Sequence, residues 1–556
     1  MRSEIASRRC ALRVLPTNFM PDSPTTYRTF RRTDLVGVTL AWIALMACGL
    51  PISRLSAADE LRFYIREFRV DGAKRLKSLE VEEAVYPFLG PGRSPDDVEQ
   101  ARQALEKAYH NKGYQTVSVG IPTQDPRHGI IRLEVIEGKV GRLRVTGARW
   151  FLPSRIKQEV PSVAEGSVPN LPQVTKEMVA LNRLADRRVT PELRPGAEPG
   201  TVDIELKVED SLPLHGSLEL NNRYSADTTP LRLNGALSYA NCFQLGHVAG
   251  ANFQLAPENT DDSLVFSGYY LARVSEHASV MLQGTKQDSD ISTLGGTNVG
   301  GRGKIFGLRT LVDLPTTLKF QQTVNFGIDY KDLEEDVIIG PVTLSSPVAY
   351  YPLSVGYSAS WLGENHFTEF NSSVTLNLRG LGSDEADYAN KRYQASGDFI
   401  ILRGDVSHTH DLSQGMQLFT KIQGQLADQP LINSEQISGG GLGTVRGYLE
   451  ATALGDNGIF GTAELRSPSL IGTSSTSTKP TDEWRFHVFA DAGLVTIYDA
   501  LPGQDSSYGL SSVGLGTRFQ LRSHYHGSLD VAVPLTNQPN AEDHDLRLTF
   551  RGWFDF

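Results

Sequence analysis

Cysteine is scarce in this 556-residue sequence, which has only three. Cys10 and Cys48 fall in the leader region, so a trimmed chain keeps Cys242 alone and has no partner for an intrachain disulfide. Its stability must come from packing and backbone pairing. A basic excess is also missing: 54 Lys and Arg stand against 64 Asp and Glu, a net charge of −10. That balance argues against nucleic acid as the main partner, because neutralising phosphates takes a basic face. Long apolar runs are limited to LVGVTLAWIALMACGL at 35–50, too little for a multi-span helical membrane protein. Nucleotide signatures are absent as well. GGRGKI at 300–305 lacks the spacing and hydroxyl of a phosphate loop, and GGGLG at 439–443 fails the dinucleotide glycine pattern. No nucleophile, base and orienting acid assemble into a triad, so the expectation is no catalytic residue, no cofactor and no metal. His408 and His410, in SHTHDL, have a strand spacing that a metal could use, but they read as solvated polar residues.

The one apolar run follows Arg28, Arg31 and Arg32 and precedes SAADE at 56–60. Basic, apolar and small-residue segments in that order describe a secretory signal peptide cleaved near Ala58. A single-span anchor and a lipoprotein site at Cys48 are the competing readings. Residues 1–58 are therefore assigned to an N-terminal extension and signal peptide.

Two small mixed units are expected next, at 59–138 and 139–210. FYIREFRVDG (63–72) alternates like a strand, RLKSLEVEEAVYPFL (75–89) has helical spacing, and the helix over 94–111 starts with a Ser cap and a Pro in its first turn. Two strands follow, giving β-α-α-β-β. The pattern then repeats, with LEVIEG and IELKVED marking the last strand of each copy.

After residue 211 helical spacing gives way to alternation at period two. In GMQLFTKIQGQLA, Met416, Leu418, Ile422 and Leu426 oppose Gln417, Lys421, Gln423 and Gln425. A soluble sandwich and a transmembrane barrel both alternate, but sixteen such segments between 214 and 556, an even number, suit a closed antiparallel barrel. Short turns alternate with long connections near 287–303, 331–350, 381–392, 428–458, 496–511 and 535–544, and SPSLIGTSSTSTKPTD at 467–482 breaks the rule. The chain ends DLRLTFRGWFDF, with Phe554 and Phe556 on the apolar face. An alternating strand ending on Phe resembles the C-terminal signal of outer-membrane barrels, which implies insertion by barrel-assembly machinery.

Within the connection at 428–458, QISGGGLGTVRGY (436–448) and GDNGIFGTAEL (455–465) resemble the VRGY loop of the Omp85 superfamily, in particular its two-partner secretion transporters of the TpsB type, the filamentous haemagglutinin and haemolysin exporters. The resemblance covers residues 62–556. It implies a mainly β fold: a 16-stranded antiparallel transmembrane β-barrel at 211–556, preceded by two periplasmic POTRA domains. It implies that the Val445, Arg446, Gly447, Tyr448 motif folds back into the barrel, where Arg446 docks on Asp491 in the D-x-G pattern of the thirteenth strand. The implied partners are a secreted TpsA-like exoprotein, a β-helical adhesin or haemolysin, and outer-membrane lipid, with no nucleic acid. Capture by β-augmentation points to the strand Thr116, Val117, Ser118, Val119, Gly120 and Ile121 beside the 94–111 helix. The family commonly carries a plug helix before the first POTRA domain, for which a chain starting near Ala58 leaves no room. That departure implies a leakier pore or closure by the loop alone. An assembly factor of the same superfamily is the runner-up, and a passive porin a third reading.

Overall fold

The computed structural model describes residues 62–556 except 295–296, 335, 340–341, 346, 472–481 and 539–540. The expected leader at 1–58, with any plug, lies outside the described residues. Described residues up to Asp210 and those from Ser211 onward belong to two separate compact units.

The first unit starts with β1 (Phe63–Ile65), β2 (Glu67–Asp71), α1 (Ser78–Val85), β3 (Gly90–Arg93), α2 (Pro95–Asn111), β4 (Val117–Gly120) and β5 (Ile130–Glu137). Strand order is β2-β5-β4, while β1 and β3 form a ladder of their own. The single strand expected over 63–72 is broken at Arg66. The amides of Arg66 and Glu67 both donate to the Gly129 carbonyl, which turns the chain from one ladder to the other. Helix α2 forms for local reasons. Ser94 accepts from the Asp97 amide, Asp97 reaches back to the Ser94 amide, and Pro95 fits a first turn that needs no amide donor. Its buried face carries Val98, Ala101, Leu105 and Tyr109.

The pattern recurs as β6 (Lys139–Thr146), α3 (Pro153–Gln158), α4 (Leu171–Leu181), β7 (Arg187–Pro195) and β8 (Thr201–Asp210), with order β6-β8-β7. Leu105, Tyr109 and Leu133 centre one core, and Ile156, Leu181 and Leu206 the other. The two modules are fastened together. Only Gly138 separates β5 from β6. Val168 is buried in the first core. Asn170, the cap of α4, donates to the Lys112 carbonyl at 2.8 Å, and the Leu171 amide donates to the Gly113 carbonyl at 2.8 Å.

The second unit is a closed antiparallel barrel of sixteen strands. Its exposed side chains follow the alternation: Leu264, Phe266, Leu282, Phe306, Ile422, Leu426 and Val488 point outward. An apolar outer wall of this extent suits lipid, not water. Polar groups such as Gln425, Glu464, Asp491 and Asp530 are buried inside. Several connections differ from expectation: that at 331–350 is mostly strand, and the fourteenth strand starts at Ser507, inside the expected 496–511 connection. The fifth and sixth strands (Ala278–Leu294 and Thr297–Asp313) run as a long ladder, so the connection expected at 287–303 is mostly strand. The tenth strand begins at Ile400 instead of near 393, because a helix, Glu385–Lys391, and a packed segment occupy the approach. There Tyr388, Phe399, Leu431 and Ile432 build a small apolar core among the long loops.

Closure joins the sixteenth strand (Arg547–Asp555) to the first (Leu214–Asn221) through five residue pairs, against eight between the first and second. The backbone of Phe556 adds a reciprocal pair with Gly216 at 3.1 and 3.0 Å. Higher up, the Asn222 side chain stands in for a strand, donating to the Leu548 carbonyl and accepting from the Phe550 amide.

Candidate functional site

The loop at 428–456 leaves the eleventh strand (Gln417–Ala427) and returns to the twelfth (Asn457–Arg466). Its base is fixed by two buried acids. Asp456 accepts from the amides of Leu431 at 2.8 Å and Tyr498 at 2.7 Å, and from the Gln436 side chain at 3.1 Å. Glu435 accepts from the Tyr350 hydroxyl at 2.7 Å and pairs with Lys331 and Arg403. Burial pushes the Glu435 carboxyl up, but those two cations more than offset it and hold it at about 2. A short ladder of Ile437–Gly439 with Ala453–Gly455 then narrows the loop to a hairpin.

The glycines answer to space as well as to backbone angle. Gly441 has φ of +85°, and a Cβ there would lie 2.3 Å from the Glu450 carboxyl carbon. Gly447 has φ of +94° and faces the Pro534 backbone, where a Cβ would come within 3.3 Å. Only glycine lets the hairpin lie this close to the wall.

Arg446 is thereby presented to the twelfth and thirteenth (Glu483–Thr496) strands. Its Nε donates to Asp491 Oδ2 at 2.8 Å and its Nη2 to Oδ1 at 3.0 Å, while its own amide donates to Oδ2 at 3.1 Å. Nη1 donates to Glu464 Oε2 at 2.9 Å and lies 3.6 Å from Asp530 Oδ1. The guanidinium carbon sits 3.3 Å over the Phe489 ring. A planar cation with a carboxylate on each side and an aromatic face beneath is a socket lysine cannot fill equally. The surrounding charges are balanced. Glu464 also accepts from Arg466 at 2.7 Å and Arg518 at 3.1 Å, and Asp530 contacts His487 at 2.6 Å. Two further contacts hold the hairpin. The Tyr448 hydroxyl lies 2.7 Å from the Thr536 hydroxyl and within hydrogen-bond distance of the Ser511 and Thr536 carbonyls. Glu450 accepts from Arg223 Nε at 2.7 Å. Val445 is fully buried against Phe460, Val495 and Leu510.

The structure thus brings Arg446 and Asp491 together, with Val445, Gly447 and Tyr448 packed around them. It adds residues the sequence did not single out for this site: Asp530, Phe489, Glu450 and Arg223. Glu464 was legible only as an inward lumen charge. Alternation places Phe489 inward too, but nothing in the sequence says that it lies under Arg446.

The residues Thr116 to Ile121 lie in the other unit. Val117–Gly120 form an edge strand, yet that edge is covered. The Val119 carbonyl accepts from Arg102, the Val119 amide donates to Glu106, and the Val117 carbonyl meets His110, all on α2. Ser118 and Ile121 are exposed, Gly120 is half-buried, and the Thr116 hydroxyl donates to the Gly138 carbonyl. Phe554 and Phe556 point outward and stack at 6.0 Å. No group of three or more His, Cys, Asp or Glu that could hold a metal occurs among the described residues.

Comparison with known proteins bears on both units. Residues 63–138 match the family of POTRA domains, ShlB-type, and residues 200–519 match the haemolysin secretion/activation proteins ShlB/FhaC/HecB. The chain is 24% identical over 433 residues to the outer membrane transporter CdiB of Dickeya dadantii, covering 75% of this chain and 74% of that protein. It is 22% identical to the heme/hemopexin transporter protein HuxB of Haemophilus influenzae strain 86-028NP, over 88% and 87% of the two chains. Among solved structures, CdiB from Escherichia coli superposes with a TM-score of 0.57 at 22% identity, covering 91% of this chain and 92% of that one. BamA from Haemophilus ducreyi superposes with a TM-score of 0.55 at 15% identity, over 89% and 100%. These likenesses show a shared fold.

Proposed function

The chain belongs to the haemolysin secretion/activation family ShlB/FhaC/HecB, outer-membrane transporters of two-partner secretion in the Omp85 superfamily, and from that premise we propose that it exports one unfolded secreted protein. In this reading residues 59–138 and 139–210 are two periplasmic POTRA domains that receive the partner, and the barrel at 211–556 passes it outward. The exported protein is a large adhesin or haemolysin that folds outside, and the transporter is not an enzyme. Lipid of the outer membrane surrounds the barrel, which reaches it through the cell's barrel-assembly machinery with the help of the Phe554 and Phe556 strand.

One observation carries this reading: a long hairpin lies inside a polar barrel and is held by a discrete set of exchangeable polar contacts centred on Arg446 and Asp491. A hairpin retained by ion pairs can be released by a passing chain and restored afterwards. A wall rich in Gln, Lys, Arg and Asp gives an unfolded polypeptide little apolar surface on which to stick. Capture on the β4 edge requires the partner to displace Arg102, Glu106 and His110, since these occupy the backbone groups that β-augmentation uses.

The short closing seam between the first and last strands favours a second reading, an assembly factor that inserts other barrels. Deleting the protein in its host and comparing secreted and outer-membrane proteomes, with complementation, separates the two. Loss of one large secreted protein with other barrels unchanged supports export. A broad fall in barrel proteins refutes it.

A further inference from the structure

Three histidines on the outer wall of the barrel lie outside the loop site described above. His366 opens the ninth strand (His366–Leu376), while His408 and His410 close the tenth (Ile400–Asp411), and His366 pairs directly with His410. Their ring centroids are 5.8, 6.5 and 6.0 Å apart, with the planes within 30° of one another. All three share the outward parity of Phe370, Val374, Ile400 and Leu402, which are exposed on the same two strands. They sit at the short-turn rim.

Their depth is set by a neighbour. Trp361, 59% exposed near the end of the eighth strand (Leu353–Leu362), pairs with Thr368 and packs edge-on to Phe320 at 5.7 Å. Outward aromatic residues of this kind mark the level where hydrocarbon meets headgroup. His366 and His410 are one to two residues beyond it, at headgroup level. Among the described residues, one ring nitrogen of the cluster is engaged, His408 Nδ1 with the Thr368 hydroxyl at 2.8 Å. None of the three histidines is paired with a carboxylate among the described residues. Clustered imidazoles with unused donors facing the interface call for an acceptor from outside the chain.

We infer that His366, His408 and His410 bind the phosphate of a phospholipid headgroup in the leaflet at the short-turn rim. The assignment rests on the transmembrane reading above, but not on the identity of the exported protein. Phosphate supplies several acceptor oxygens in one compact group, matching clustered imidazole N–H donors.

The full-length protein and H366Q/H408Q/H410Q, purified in detergent, are titrated with dioleoyl phosphatidylglycerol and with a galactolipid carrying the same chains, and bound lipid is counted by native mass spectrometry. The wild type should retain phosphatidylglycerol about fivefold better than the galactolipid, the size of one net hydrogen bond to a phosphate oxygen. The variant should lose that preference while keeping heat-modifiable migration. Equal preference in the two proteins, or none in the wild type, overturns the assignment. If the variant does not fold, a photoreactive phosphatidylglycerol decides on the wild type: labelling of peptides around 361–368 and 406–418 supports the site, and labelling confined elsewhere overturns it. Lipid counts and export are read separately, so failure here leaves the exporter reading to its own test.

Discussion

Replacing Arg446 with alanine removes its ion pairs with Asp491 and Glu464 and its stacking on Phe489 at once, and strands the Asp491 carboxylate, which is about 1% exposed, while Glu464 keeps Arg466 and Arg518. Breaking a buried ion pair by deleting one partner costs about 3–5 kcal/mol. The main-chain bond from residue 446 to Asp491 and the Glu450–Arg223 pair remain, so the barrel should stay intact and only the docked hairpin should lose stability. At about 1.4 kcal/mol per tenfold, the docking equilibrium shifts by about two to three and a half orders of magnitude. Gln423 donates to the Gly443 carbonyl at 2.7 Å, so cysteines at these two positions in a C242S background report docking through a short bifunctional maleimide cross-linker. With Arg446→Ala, the cross-link yield after brief exposure to the reagent should collapse and export should fall, at unchanged protein level and heat-modifiability. Arg446→Lys should fall between, since it keeps the charge but loses the fork, a difference of about 1.5–3 kcal/mol. Undiminished cross-linking together with normal export in the alanine variant would refute the reasoning.

Other outcomes follow from close contacts. Gly113→Ala puts a Cβ 2.5 Å from Pro172 at φ of +94°, and should lower the urea midpoint of the N-terminal unit through a loss of about 1–3 kcal/mol. Gly216→Val meets the Phe556 ring, which lies 2.5 Å from a Cβ there, and should reduce the heat-modifiable fraction in membranes without changing synthesis. Glu106→Ala frees the Val119 amide, so capture of the exported protein's N-terminal region on β4 should tighten in a pull-down. An unchanged or weaker signal would place the partner elsewhere. The Glu80 carboxyl is held below its ordinary value by Lys112. Its contribution is therefore present at neutral pH and is lost as the pH falls below 4.5, and Lys112→Ala should remove that part of the acid sensitivity.

How much of this was legible in the sequence depended on periodicity. Barrel strands were readable because a wall with lipid on one side and polar groups on the other writes period two into every segment, and helix α2 was readable from its cap and apolar spacing. β3 was not, since GPGR has no strand propensity and exists only because β1 lies opposite. The approach to the tenth strand failed for a related reason: Tyr388 and Phe399 are placed by a core among loops that no single segment displays. At the site, the motif and alternation together indicated Arg446 and Asp491. Asp530 comes from the fifteenth strand and meets Arg446 only through barrel register, which a local reading does not contain, whereas Phe489 is two residues from Asp491 on the same inward face.

The fastening of the two N-terminal modules has a consequence for descent and for engineering. Val168 belongs by sequence to the second module and by packing to the first, and a single glycine joins the sheets. A graft that exchanges one module between relatives would cut through a shared core and leave Gly113 facing a foreign surface. Recombination that preserves folding must therefore carry residues 62–210 as one block, so the pair, and not the individual module, is the heritable part.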